Sequence, residues 1–291
     1  MEHRRLGRTG HLSSVAVLGG AAFGRCTADE ARAGFELALA RGVNHLDIAP
    51  AYGEAEVLVG PMIPAVRDRL FVAGKTQRSN PDGVRAQLET TLERLGCDQL
   101  DLYQLHAVTD SDVLDQRAGA AAAILRARDE GLARFVGITG HDLGTPAAQL
   151  EALRRYDLDT VMFPIYPKVW ADPVYRSAAE ELLAECSRRD VGVMIIKAVA
   201  RRPWGDQPTF ADTWYEPWTE SDTIRRGVSF ALSTPGVHAF CTAGDLAILP
   251  TVLDAAEAPD ALDAAARDAA IAAFHDDELI FPIAARARRP D

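Results

Sequence analysis

Residues 44–53 read NHLDIAPAYG: a short apolar run ends in Asp47, a Pro50-Ala51 turn follows, and Tyr52 precedes Gly53. Two further runs have the same form. LFVAGKTQ (70–77) delivers Lys75 and LDLYQLHAV (100–108) delivers His106, each at the carboxyl end of an apolar segment. Short buried runs of this kind read as strands of a parallel sheet. An acid, a phenol, an amine and an imidazole brought from three successive strands to one rim make a proton-transfer site. Tyrosine, with an ordinary pKa of about 10, is a poor acid or base near neutrality, and an adjacent ammonium eases its ionisation. Asp47 would hold that ammonium in place.

Working outward, eight such runs alternate with Ala-, Leu- and Arg-rich segments of helical period. They are Val15 to Gly20, Val43 to Asp47, Leu70 to Gly74, Leu100 to Leu105, Arg134 to Ile138, Thr160 to Phe163, Val191 to Lys197 and Val237 to Cys241. Helices are expected over Ala28 to Arg41, Pro81 to Leu95, Asp112 to Glu130 and Val174 to Arg189, with Gly42, Gly96 and Gly131 as stops. Eight strand–helix units predict a closed (β/α)8 barrel, and 291 residues suit one such domain. An open doubly wound sheet would carry G-x-G-x-x-G after its first strand. Gly19-Gly20-Ala21-Ala22-Phe23-Gly24 lacks that spacing. The opening HRRLGRTGHLSS (3–14) reads as a β-hairpin turning at Thr9-Gly10, suited to plug the amino-terminal mouth of the barrel.

Composition narrows the function. A net charge of −11 argues against nucleic acid or an anionic membrane as partner. Cys26, Cys97, Cys186 and Cys241 are too scattered for a disulfide framework or a zinc site, so no metal is expected. The absence of a signal-peptide pattern and of an apolar run of membrane length predicts a cytoplasmic protein. One irregular stretch, Ala200 to Thr219, holds three prolines and three tryptophans and reads as a lid over the active-site mouth. The tail from residue 260 to 291 contains an Ala-rich helix and then RARRP (286–290), read as a solvated end.

With these residues in view, the chain resembles the aldo-keto reductase superfamily. The D-x-A-x-x-Y-G element of that family stands as Asp47 to Gly53, and its lysine and histidine correspond to Lys75 and His106. The resemblance implies a nicotinamide dinucleotide bound without a Rossmann fold, Tyr52 as general acid in carbonyl reduction, Asp47 and Lys75 tuning it, and His106 orienting the substrate oxygen. NADPH is the expected cofactor, with NADH as the alternative. Departures are also visible. Thr139-Gly140-His141 replaces the usual Ser-Asn pair, Met162 stands where a glutamine is usual, and Lys197 where many members stack an aromatic. The segment after the last strand, from Cys241 to Leu249, contains Asp245 and no basic residue.

The expected cofactor contacts are therefore Gly20, Ala21, Thr139, His141, Met162, Lys197 and Ala198, with Arg201 and Arg202 on phosphate. Ala243, Gly244 and Asp245 complete the set, with amides from Ala243 to Leu246 opening a helix toward an anion. The expected substrate wall is Phe23, Trp204, Trp214 and Trp218. A small carbonyl compound or the corresponding alcohol is the predicted substrate. Two other readings remain open: a Schiff-base lyase or aldolase using Lys75 or Lys197, and a non-catalytic nicotinamide-binding regulator. A metal-dependent hydrolase is disfavoured, because His45 and Asp47 do not form an H-x-H pair.

Overall fold

The computed structural model describes residues 1–206, 208–274 and 276–282; the RARRP segment lies outside them. Eight parallel strands close into a barrel: Ala16–Gly19, His45–Asp47, Phe71–Thr76, Leu100–Leu105, Ala133–Thr139, Thr160–Pro164, Gly192–Ile196 and Ala239–Cys241. Each of the eight apolar runs supplies one of them, in chain order, and the last pairs with the first through Phe240 and Ala16. Parallel strands buried on both faces demand continuous apolar sequence, which is why these runs do not alternate.

The amino-terminal hairpin pairs His3–Arg5 with Leu12–Ser14 and turns through a short 3-10 segment at Gly7–Thr9, closed by Gly10 in a left-handed conformation. Leu6, fully buried, joins the cluster inside the barrel with Val17, Phe71, Leu102, Met194 and Ala239. The Arg8 amide donates to the carbonyl of Asp190, 2.6 Å away, just ahead of the seventh strand. The hairpin thus plugs the amino-terminal mouth and leaves the carboxyl rim as the open end.

Two sequence expectations need correction. The helix expected from Asp112 to Glu130 is two helices, Ser111–Gln116 and Ala118–Asp129, broken at Arg117. Arg117 is buried, and its guanidinium donates to the carbonyls of Thr76 (2.6 Å), Arg78 (3.2 Å) and His106. It clips together the ends of the two strands that carry Lys75 and His106. The stretch from Ala200 to Thr219 is not wholly irregular. Ala200–Arg202 pairs antiparallel with Glu216–Pro217, so the loop rises from a two-stranded base. Glu216 fixes that base by ion pairs to Arg201 (2.8 Å) and Arg202 (2.7 Å).

Candidate active site

The second and third strands bring Asp47 and Lys75 into the barrel interior, where the two side chains are buried and form an ion pair. Lys75 Nζ also donates to Tyr52 Oη at 3.2 Å. Tyr52 enters from the turn after the second strand, its ring edge-on to that of His106 with centroids 5.6 Å apart. The four residues converge as their strand positions require. Gln104 Nε2 donates to Asp47 Oδ1 at 3.2 Å, and the Cys241 thiol lies 3.7 Å from Asp47 Oδ2. Sequence reasoning missed Gln104 and Cys241 as members of this network. A signal existed for Gln104, which stands two residues before His106 on one strand and therefore shares its face.

Electrostatics divides the roles. Burial pushes the Tyr52 phenol up to about 12; the Lys75 cation opposes that shift and the Asp47 carboxylate adds to it. The phenol is therefore protonated at neutral pH, with a cation beside the oxygen that would carry charge after proton loss. Burial works against the Lys75 ammonium, but Asp47, Tyr52 and Cys241 outweigh it and raise its pKa. His106 is held neutral, its pKa pushed well below the ordinary value by burial, then by Lys75 and His141. Its Nδ1 is buried without a partner among the described residues.

Tyr52 and His106 wall a cavity of about 430 Å³ together with Ala51, Gln77, His141, Lys197 and Trp214. A narrow cleft adjoins it, lined by Gly19, Ala21, Met162, Trp214, Tyr215, Ala243 and Gly244, with Tyr52, His141 and Lys197 on the shared wall. A side chain at Gly19 would drive its Cβ to 2.5 Å from the Thr242 carbonyl, so the first and last strands meet there only through glycine. Small residues, flat rings and a His141 Nδ1 that is buried without a partner among the described residues suit a flat polar ring such as a pyridine carboxamide.

Of the expected cofactor contacts, Ala21, His141, Met162, Lys197, Ala243 and Gly244 line this cleft. The others do not. Gly20 packs against the Asp47 carbonyl, and Ala198 is buried behind the rim. Thr139 is buried, with its hydroxyl accepting from the Ala107 amide at 3.4 Å. Arg201 and Arg202 are engaged by Glu216, away from the cleft. Asp245 uses both carboxylate oxygens on backbone amides, of Asp212 in the long loop and of Ala247, each at 2.7 Å. The helix after the last strand opens at Leu249 rather than at Ala243.

The substrate wall also needs correction. Phe23 is fully buried in the main core. Trp218 is buried and stacks on Phe274 at 4.3 Å. Trp204 donates to the Thr213 carbonyl and meets Phe210 edge-on, lining a separate hollow. Only Trp214, at 37% exposure, lines the cavity of Tyr52. Aromatic content marked the loop as important, yet it does not distinguish a wall from a structural pin.

Comparison with known proteins agrees with this geometry. Residues 16–202 match the model of the aldo/keto reductase family. The chain belongs to that family. It is 29% identical over 199 residues to D-threo-aldose 1-dehydrogenase of a Pseudomonas species, covering 57% of this chain and 58% of that protein. It is 30% identical over 177 residues to L-galactose dehydrogenase of Arabidopsis thaliana, covering 56% of each. The chain thus aligns with little more than half the length of these relatives. The fold of an aldo-keto reductase from Bacillus halodurans, solved in its holo form, superposes with a TM-score of 0.71 at 20% identity, covering 94% of this chain and 96% of that one.

Proposed function

We propose that this protein transfers a hydride between a nicotinamide dinucleotide and a carbonyl compound, with Tyr52 as general acid in reduction and general base in the reverse direction. The observation that carries the reading is Tyr52 Oη, 3.2 Å from a buried ammonium and on the wall of a cavity that also holds a neutral imidazole. When bound, the dinucleotide supplies the hydride. Its ring would be held by the cleft residues Ala21, His141, Met162, Ala243 and Gly244. The remaining chemistry belongs to the chain.

Tyr52 Oη delivers the proton to the substrate oxygen, and Lys75 stabilises the phenolate that results. Asp47 keeps that ammonium charged and in place. His106, being neutral, orients the substrate oxygen without adding charge, and Trp214 screens the cavity from water. NADPH is the expected dinucleotide and NADH the alternative. The preference is modest on this reading, because Arg201 and Arg202 are engaged by Glu216 and the turn after the last strand offers an acid rather than a base. Two relatives are named for action on aldose sugars, which favours a polar, hydroxylated substrate.

Tyr52→Phe keeps the ring and removes the hydroxyl. Aldehyde reduction should fall by at least about 100-fold, the lower range for acid catalysis, while dinucleotide binding by fluorescence titration persists. Unchanged turnover in that variant would overturn the assignment.

A further inference from the structure

Lys197 has no part in the proton-transfer network of Asp47, Tyr52 and Lys75, and its position is unusual. It follows the seventh strand with φ at +75°, the left-handed region that residues bearing a side chain rarely take, and its carbonyl accepts from the Ala200 amide at 2.9 Å. The residue is 8% exposed, and among the described residues its ammonium makes no ion pair. It lies instead over the rings of Tyr215 (4.7 Å) and Trp214 (5.5 Å). Burial pulls its pKa down to about 8, with Cys241 opposing, so the amine is still mainly charged at neutral pH.

An ammonium taken from water without a counter-charge is costly, and a buried charge normally has a partner. The cavity supplies none. Its lining is Ala51, Tyr52, Gln77, His106, His141, Lys197 and Trp214, with no carboxylate among them. Both histidines are held neutral, chiefly by burial. Asp47 lines the adjoining cleft, as Lys197 does, but it is already taken by Lys75 and Gln104. The charge balance of the cavity is therefore completed by what enters it.

We propose that Lys197 anchors a carboxylate on the carbonyl substrate, so that oxo acids or sugar acids are the preferred class. Because Lys197 shares its cavity with Tyr52 and His106, a bound anion would hold the reacting carbonyl against the phenol. Of the proposed function, the inference uses only the placement of the carbonyl. A charge-assisted contact made in a desolvated site discriminates strongly against a neutral analogue, whose binding leaves the ammonium unpaired.

The test compares matched substrates that differ by one carboxylate: succinic semialdehyde with butanal, 4-carboxybenzaldehyde with methyl 4-formylbenzoate, and D-glucuronate with D-glucose. Wild-type protein should favour the acid by at least about tenfold in kcat/KM in one or more pairs. Lys197→Met should bring the acid-to-neutral ratio of kcat/KM to about one, a ratio taken within one protein, from which any general change in turnover or NADPH binding cancels. Lys197→Arg should retain part of the preference. Calorimetric titration with benzoate and benzamide provides a readout independent of turnover. Wild type should bind benzoate more tightly, and Lys197→Met should bind both alike. If neutral aldehydes are reduced but no pair shows a preference for the acid, the carboxylate proposal fails and the reductase reading stands. If nothing is reduced yet benzoate binds through Lys197, the reductase reading fails instead. Loss of NADPH affinity in Lys197→Met equal to its loss of activity would assign the amine to the cofactor and overturn the proposal.

Discussion

Replacing Lys75 by methionine separates the structural and chemical roles of the Asp47–Lys75 pair. The two side chains are 3% and 1% exposed, so the substitution leaves a carboxylate in the barrel with only the Gln104 amide at 3.2 Å and the Cys241 thiol at 3.7 Å. Breaking a buried ion pair from one side costs about 3–5 kcal/mol. Chemical denaturation should therefore show Lys75→Met destabilised by about 3–5 kcal/mol at pH 7. Adding Asp47→Asn removes the stranded charge and should recover most of the stability at pH 7. Activity should behave differently. Both variants lack the cation beside Tyr52 Oη, and both should lose at least about 100-fold in turnover of an aldehyde. Recovery of turnover in the double variant, or no recovery of its stability, would refute the assigned roles.

How much of this was legible in sequence depended on whether backbone or side-chain packing decides the feature. Strand order and the rim positions of Asp47, Tyr52, Lys75 and His106 follow from apolar runs and their endpoints, which local sequence encodes directly. The break at Arg117 was not legible, because three distant carbonyls, of Thr76, Arg78 and His106, draw its guanidinium inward. The arginines at 201 and 202 looked like a phosphate clamp because they follow the seventh strand while the segment after the eighth holds no basic residue; Glu216, about fifteen residues on, lies beside them only once the strand pair forms. Asp245 looked out of place in a phosphate site for a similar reason. Its partner is the Asp212 amide, 33 residues earlier in the chain. In each case the sequence shows a charge and the fold supplies its partner.

Two of the three tryptophans of the long loop should part company under mutation. Trp218→Ala removes a buried ring stacked on Phe274 and should cost about 3–5 kcal/mol of stability with kcat/KM for residual folded protein unchanged. Trp214→Ala, at the cavity wall, should instead raise KM with little effect on unfolding; the reverse pattern would exchange their roles. Lys197 gives the last expectation. Its pKa of about 8 in the folded chain lies below the ordinary lysine value, so the unfolded chain holds the proton more tightly. The charged amine therefore costs the fold roughly 3 kcal/mol at pH 7, and that cost disappears as pH rises from about 8 to 10.5. Lys197→Met should consequently stabilise the protein at pH 7 by about 1–3 kcal/mol, after allowing for the lost cation–π contacts with Trp214 and Tyr215. The advantage should shrink at pH 9.5, measured by urea unfolding of both proteins at each pH. A variant less stable than wild type at pH 7, or a difference independent of pH, would show that the amine is already satisfied within the chain. Stabilisation on removal of the cation would mean that the amine is not held for the fold, which would leave ligand binding in the cavity it lines as its role.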